Sequence, residues 1–309
     1  MRINKQFKVE NLNLPEILPE IRIDKYISDH LQILTRSQLK ARDAKVFING
    51  KEAKLSKTVK DGDSIDIEYD SAPETNIKPE KIDLDIIYED ENVAVINKPQ
   101  GMVVHPAAGN PSGTLANAFL YYFGDTDFEK DEDDTRPGIV HRLDKDTSGV
   151  IITAKNSAAH EFLSQQFRDK KVEKKYLAVV KGRMRSRVGA IEANLLRDRN
   201  NRKKFSVVTG KGKEALTRFR VLKEFEDTTL LSLEPETGRT HQLRVHMQHY
   251  GCPIIGDPIY SRKIVKYGDL TMMLHAYILI IDIPGYGIKK FHAPLPERFK
   301  KFIRENGQK

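Results

Sequence analysis

Short β-like runs, rather than helical ones, dominate the chain after about residue 80. Candidate strands cover residues 84–88, 93–96, 205–208, 216–221 and 229–233, and one helix is predicted over 114–123. A parallel sheet needs a crossover, usually a helix, between successive strands, and such helices are not regularly spaced here. The pattern therefore favours an α+β fold with a mixed, largely antiparallel β-sheet flanked by helices and loops.

A smaller unit, built from helices and a β-hairpin, is predicted over residues 21–70. Asp24 is expected to cap its first helix, because a short carboxylate can accept from the free amides of the first turn. A second, basic helix is expected to begin at Thr35 or Ser37 and to run to about Lys45. Together these features predict a small domain with one basic helical face.

The rest of this unit is predicted from turn chemistry. Asn49-Gly50 after a β-rich run is typical of a tight hairpin. Residues 71–81 contain two prolines and no sustained periodicity, as in a linker. We therefore expect a first domain over 1–75, a linker over 76–81 and a larger domain over 82–309.

The composition is that of a soluble protein, with 39% hydrophobic and 31% charged residues. The longest strongly apolar stretch, 277–281, is too short to cross a bilayer, and the first residues lack the apolar core of a signal peptide. Cys252 is the only cysteine, so it is predicted to be a core residue rather than part of a disulfide or a metal cage. We expect a cytoplasmic monomer without a membrane or metal partner.

Positive charge is concentrated in two segments. Residues 168–213 contain 16 Lys or Arg against 4 acids, and residues 36–60 contain 8 against 2. Phosphates are held by such basic surfaces, so the distribution suits a polyanion, although two solvated surfaces would look the same. An acidic run over 125–134 is expected to be a surface loop.

Residues 141–149 form a dense loop of charged and hydroxyl side chains ahead of an apolar run. A charged cluster beside a buried strand can place reactive groups on a rigid frame. The same residues also fit an ordinary turn capped by its Asp, Thr and Ser side chains. Spacing alone leaves both interpretations open.

A second cluster spans residues 237–246, where His241 and Arg244 are three positions apart, as on one helix face. An arginine beside a catalytic aspartate would fix the carboxylate by charge-assisted hydrogen bonds and favour its ionised form. His241 and His246 are not followed by a third ligand at metal spacing, which favours structural or RNA-contacting histidines.

At both clusters the sequence resembles the RluA-type pseudouridine synthases. The family motif His-Arg-Leu-Asp, two variable residues, then Thr-Ser/Thr-Gly is matched in full at 141–149, and further motifs match in order at 97–106, 174–180, 238–246 and 256–260. Several ordered motifs are more specific than one. Residues 22–26, 35–37 and 46–51 resemble the S-four-like RNA-binding domain, so the layout is similar to the RluD-like subgroup, which modifies large-subunit (23S) ribosomal RNA.

The resemblance implies an RNA pseudouridine synthase, an isomerase that flips uridine out of its stack and needs no cofactor. By position it implies that Asp144 is the catalytic aspartate, that Tyr176 packs against the target base, that Arg244 pairs with the aspartate and that Arg142 enters the RNA. The further residues expected to contact RNA are His105, His141, Arg239, Arg36, Lys40, Arg42 and Lys45.

Three alternatives stay open. Asp144-Lys145-Asp146 resembles the paired aspartates of a haloacid-dehalogenase-type phosphatase, although Ser148 stands where that motif needs Thr or Val. The chain could instead bind RNA without catalysis, or perform the same chemistry on transfer RNA.

Overall fold

The structure is a computed structural model, and it describes residues 2–10, 20–31, 33–34, 36–70, 77–107, 109–124, 137–198, 201, 203–261 and 267–307. The chain divides into two compact units, whose described parts fall within 2–70 and 77–307. The predicted acidic loop at 125–134 and the possible cap Thr35 lie outside the described residues. None of the described helices is long and apolar enough to span a membrane.

The first unit is a four-stranded sheet, in the order β1-β6-β3-β4, packed against short helices. Its apolar core includes Ile23, Ile27, Leu39, Ile65 and Ile67. β2 and β5 pair with each other as a separate two-stranded ribbon. Its elements are β1 (Arg2–Lys8), β2 (Ile21–Arg22), α1 (Ile23–Lys25) continuing into a π-helical turn (Tyr26–His30), α2 (Arg36–Ala41), β3 (Lys45–Ile48), β4 (Lys51–Ala53), β5 (Thr58–Val59) and β6 (Ser64–Asp70).

Two local predictions for this unit were wrong and one is confirmed. Asp24 lies inside α1 rather than at its N-cap, because its carboxylate binds two arginine side chains instead of helix amides. The basic helix ends at Ala41, and Asp43, at φ 47°, turns the chain so that Lys45 begins β3. The Asn49-Gly50 hairpin is confirmed between β3 and β4, with positive φ at both residues as a tight hairpin turn requires.

The second unit is built on one ten-stranded sheet of the described residues, in the order β12-β11-β13-β14-β10-β15-β9-β8-β7 with β16 paired to β15. Its described pairings are antiparallel except that of β9 with β15. Its elements are β7 (Ile86–Glu89), β8 (Val93–Lys98), α3 (Leu115–Phe123), β9 (Ser148–Ala154), α4 (Ser157–Arg168), β10 (Glu173–Lys181), β11 (Val188–Arg197), β12 (Phe205–Val208), β13 (Lys213–Glu224), β14 (Thr228–Pro235), α5 (Gln242–His249), β15 (Leu274–Ile283), β16 (Gly287–His292) and α6 (Glu297–Asn306).

This architecture confirms the α+β class and the largely antiparallel sheet. The two largest apolar cores of the described residues pack on the sheet, one around β8 and β9 and the other around β14 and α5. Tyr176 on β10 packs against both, so it marks the place where they meet. Cys252 is buried in the second core, as predicted.

The described part of the predicted linker, 77–81, contains no helix or strand but is attached to the second unit. Ile77 packs against the core around β9, and Asn117 of α3 donates to the carbonyl of Lys78 at 2.8 Å. The carboxylate of Glu80 accepts from the amide of Gly113. These contacts fix the start of the second unit beside α3.

Candidate active site

Asp144 lies in the loop that leads into β9, and the backbone of this loop is held from several sides. The amide of Thr147 donates to the carbonyl of Asp144 at 3.1 Å, and the amide of Gly101 donates to that of Lys145 at 2.8 Å. Beyond the loop, Gly149 adopts φ 117°, and a Cβ there would lie 2.1 Å from the carbonyl oxygen of Ala276. Glycine is therefore required where β9 passes β15.

Arg244 holds the carboxylate of Asp144 from behind. Its Nη1 donates to Asp144 Oδ2 at 3.1 Å, while its Nε and Nη2 donate to the two oxygens of Asp257 at 2.7 and 3.0 Å. The side chains of Arg244 and Asp257 are 3% and 0% exposed, and that of Asp144 is 17% exposed. Asp257 thus fixes the Nε and Nη2 edge of the guanidinium, and Nη1 donates to Asp144, the one of these three side chains that is partly exposed.

Asp257 is itself fixed by backbone amides. Its Oδ1 accepts from the amides of Ile259 at 2.8 Å and Tyr260 at 2.9 Å. Burial opposes the positive charge of Arg244, but Asp257 and Asp144 outweigh that effect and raise the pKa of Arg244. Asp257 stands inside a matched motif, but its pairing with Arg244 could not be predicted from the sequence, because the two residues meet only in the fold.

His241 borders the same carboxylate. It adopts a left-handed φ of 57° at the start of α5, and its Nε2 lies 3.9 Å from Asp144 Oδ2. Its Nδ1 lies 2.9 Å from the hydroxyl of Tyr260, which also accepts from the amide of Phe205 at 2.8 Å. Burial lowers the pKa of His241, so its ring is neutral near pH 7 and does not compete with Arg244 for Asp144.

Tyr176 faces the same space from β10. Burial, and then the negative charge of Asp144, raise the pKa of its phenol. The phenol therefore keeps its proton at neutral pH, so Tyr176 can pack against a base and donate a hydrogen bond, but it is a poor general base.

Lys98 supports the Asp144 loop, a role that the sequence did not reveal. Its side chain is fully buried, and its Nζ donates to the carbonyls of Pro99 at 2.9 Å, Met102 at 2.8 Å and Lys145 at 3.3 Å. Burial lowers the pKa of Lys98 to about 8, although the charges of Asp144 and Asp146 oppose the change. A buried cation thus lies beneath the loop that carries the nucleophile candidate.

A half-buried arginine, Arg298, connects α6 to the end of this loop. The Nη2 of Arg298 donates to Ser148 Oγ at 2.6 Å, and that oxygen lies 2.9 Å from His275 Nδ1. Burial lowers the pKa of Arg298 to about 10. No sequence pattern near residue 298 signalled this contact, which joins positions 150 residues apart.

These elements enclose a cleft of about 500 Å³. The expected residues Asp144, Tyr176, Arg244, Arg142, His141 and Arg239 all line it. Arg142 and Arg239 are exposed at its border. His105 instead lines a smaller neighbouring cavity of about 270 Å³, which Arg142 also borders. The cleft has the size of a small-molecule site and combines two carboxylates, Asp144 and Glu236, with several cations.

Two of the residues expected to contact RNA have positions that do not suit phosphate binding. His141 stacks on Phe167 with ring centroids 4.5 Å apart, and its Nε2 accepts from the amide of Ile152 at 3.0 Å. Burial, with a smaller contribution from Lys174, lowers its pKa to about 3, so it has no charge to offer a phosphate. Arg42 is only 5% exposed, which removes it from the expected RNA-facing surface.

The other basic residues expected to bind RNA in the first unit are exposed. Lys40 is on α2, Lys45 begins β3, and Arg36 starts α2. Arg36 Nε donates to Asp24 at 3.0 Å, and Arg22 binds the same carboxylate through Nε and Nη2. Asp24 thus holds two exposed arginines side by side. Arg22 is therefore added to the residues of the first unit that are expected to contact RNA.

Comparisons with known proteins agree with this geometry. The family model for RNA pseudouridylate synthase matches residues 92–249. Ribosomal large subunit pseudouridine synthase D of Borreliella burgdorferi is 45% identical over 309 residues, covering 98% of this chain and 93% of that protein. The Escherichia coli protein of the same name is 36% identical over 299 residues, covering 91% and 89%.

A solved structure, Human RNA Pseudouridylate Synthase Domain Containing 4, superimposes with a TM-score of 0.56 at 26% identity, covering 71% of this chain and 91% of the human one. The resemblance drawn from the ordered motifs is therefore confirmed. The chain belongs to the RNA pseudouridylate synthase family and is an isomerase that forms pseudouridine in RNA.

Proposed function

We propose that this enzyme converts specific uridines of large-subunit ribosomal RNA to pseudouridine, with Asp144 as the nucleophile. The observation that carries the proposal is the presentation of Asp144: one carboxylate turned into the cleft by a buried arginine that Asp257 locks in place. The relatives named for the large ribosomal subunit support this choice of RNA.

The reaction needs few groups. The C–N glycosidic bond of uridine breaks, the uracil turns, and its C5 bonds to the same sugar carbon. C5 then gives up its proton and N1 gains one, so the atoms balance. A carboxylate beside that carbon can attack it as the base leaves, as in retaining glycosidases, and is released when the new bond forms. Nothing is oxidised and no phosphate is transferred, so no redox cofactor or nucleotide is required.

The uridine must leave its stack to reach Asp144, at a cost of about a few kcal/mol. Arg142, exposed beside the nucleophile, is suited to fill the space the nucleotide leaves. Tyr176, whose pKa is raised, would then pack against the uracil as a neutral ring. Contacts from the exposed basic residues of the first unit, Arg22, Arg36, Lys40 and Lys45, would offset part of the flipping cost.

The test is an Asp144→Asn variant as the sole copy in a strain lacking the enzyme. We expect pseudouridine to disappear from its target positions, mapped in ribosomal and transfer RNA, while the purified variant still binds the RNA. Asp146→Asn removes the same charge two residues away and should retain modification. Unchanged pseudouridine in the Asp144→Asn strain would refute the nucleophile assignment.

The same map decides the substrate. Loss of pseudouridine from transfer RNA instead of the large ribosomal subunit would identify transfer RNA as the substrate. The proposed chemistry would stay the same. We expect activity to survive a chelator. We also expect the enzyme to sediment as a monomer and to be found in the cytoplasmic fraction. Loss of activity with EDTA and its return with a divalent ion would contradict the cofactor-free scheme.

A further inference from the structure

Lys174 is a cation on the cleft wall that the proposed chemistry leaves unused. It lies on β10 two residues before Tyr176, so both side chains project from the same face of the strand, and both line the cleft. Its side chain is half-buried. Among the described residues, no carboxylate or carbonyl forms an ion pair or hydrogen bond with its ammonium.

The adjacent residue, Lys175, behaves differently. It projects from the opposite face of β10, and its Nζ lies 3.2 Å from Glu234 Oε1 on β14. Both partners of that pair are more than one-third exposed. The strand therefore carries two neighbouring lysines: Lys175 is paired with a carboxylate on the surface, and Lys174 lines the cleft without such a partner among the described residues.

An ammonium removed from water without a counterion is unfavourable. Burial accordingly lowers the pKa of Lys174, and its charge helps to lower the pKa of His141. Lys174 is therefore within electrostatic reach of His141, which lines the same cleft. A half-buried ammonium without a counterion can bind an anion that arrives with the substrate.

The chemistry of the substrate identifies that anion. Uracil and ribose are neutral, so the only anions that a flipped nucleotide brings into the cleft are its flanking phosphates. Two carboxylates already line the cleft, but Arg244 binds Asp144 and Arg218 binds Glu236. We propose that Lys174 binds one of the two backbone phosphates that flank the target uridine and so seats the flipped nucleotide against Asp144.

This inference rests on the proposed function, and it makes Lys174 a substrate-binding residue. It also predicts an unusual pair of effects. Lys174→Met should reduce kcat/KM for the ribosomal RNA transcript by about 10- to 100-fold, the range of one charge-assisted hydrogen bond. The same variant should melt at the same or a higher temperature than the wild type, because it removes an uncompensated cation.

The matched variants are Lys175→Met and Lys174→Arg. Lys175→Met removes an equal charge from the next position and should leave kcat/KM within about twofold. Lys174→Arg retains the charge and should recover most of the loss. Lys174→Met should also reduce the slope of log Kd against log salt concentration by about 0.7, the value for one phosphate of a single strand.

The decisive measurement replaces each flanking phosphate in turn with a neutral methylphosphonate, in an RNA ligated around the mapped uridine. At one position the wild type should fall to the rate of Lys174→Met, and the variant should lose nothing further. Additive losses at both positions, equal effects of Lys174→Met and Lys175→Met, or destabilisation by Lys174→Met would overturn the inference. Failure of the wild type to form pseudouridine would instead overturn the proposed function.

Discussion

The two units use the same ingredients, an aspartate and arginine, in opposite ways. In the first unit the acid is hidden and the bases are displayed: the side chain of Asp24 is 8% exposed, whereas those of Arg22 and Arg36 are 44% and 54% exposed. In the second unit the base is hidden and the acid is displayed, since Arg244 is nearly inaccessible and Asp144 opens into the cleft.

The difference fits the partner that the proposed function gives to each site. A buried carboxylate that orients two exposed guanidinium groups prepares a surface for phosphates. A buried guanidinium that orients one carboxylate prepares a nucleophile, and it needs a second carboxylate, Asp257, because one carboxylate cannot both neutralise the arginine and remain available. Burial of one partner decides which charge the molecule presents.

The largest effect is expected from breaking the Arg244 anchor with Asp257→Asn. The amide can accept from Arg244 through one oxygen, but its NH₂ group faces an N–H donor, so the guanidinium loses its bidentate seat. We expect kcat to fall about 100-fold or more because Asp144 is no longer held. The free energy of unfolding should fall by about 3–5 kcal/mol, as for a broken buried ion pair.

Single-turnover kinetics and urea denaturation measure these two effects. Glu297→Gln, which disrupts an exposed ion pair with Arg304 on α6, is the matched control and should change neither by much. Normal kcat in Asp257→Asn would show that Asp144 does not depend on the anchor.

Acid should affect the second unit before the first. Burial lowers the pKa of His141 to about 3 and those of His246 and His275 to about 4. The unfolded chain takes up these protons below about pH 6.5, so this stability is complete above pH 6.5 and declines towards pH 4. Hydrogen exchange under denaturant, followed in both units between pH 7 and pH 4, should show that the free energy of unfolding falls in the second unit.

In the first unit the pH range over which stability is lost lies lower. Burial alone would raise the pKa of Asp24, but Arg22 and Arg36 together outweigh it and lower that pKa. Its contribution is present above the unfolded value of about 4 and is lost only as the pH falls further. A first unit that loses protection earlier than the second, at pH 5 to 6, would contradict this ordering.

The smallest effect is expected from Asp24→Asn. Without its charge, Arg22 and Arg36 lose their common anchor and become more mobile, so the KM for RNA should rise about 3- to 10-fold at unchanged kcat. Asp43→Asn, a more exposed acid of the same unit, provides the control. A fall in kcat instead of a rise in KM would separate this surface from RNA binding.

Much of the site was predictable because its chemistry is carried by contiguous motifs. Asp144, Arg142, Tyr176 and Arg244 all line one cleft, as their order in the family motifs implied. The α+β class followed from the spacing of strand-like runs. Local helix limits in the first unit were wrong at Asp24 and Lys45, since tertiary partners used the side chains and turns that capping rules assign to helix ends.

The sequence by itself determined the sheet-rich fold, the family and the identity of the nucleophile candidate, because periodicity and motif residues are properties of neighbouring positions. The tertiary structure decided which charges are buried. Asp257 meets Arg244, Arg298 meets Ser148, and Lys98 lies beneath Asp144 only after distant strands have paired. Desolvation depends on that packing, so only the fold shows that Lys175 pairs with Glu234 and that burial lowers the pKa of Lys174.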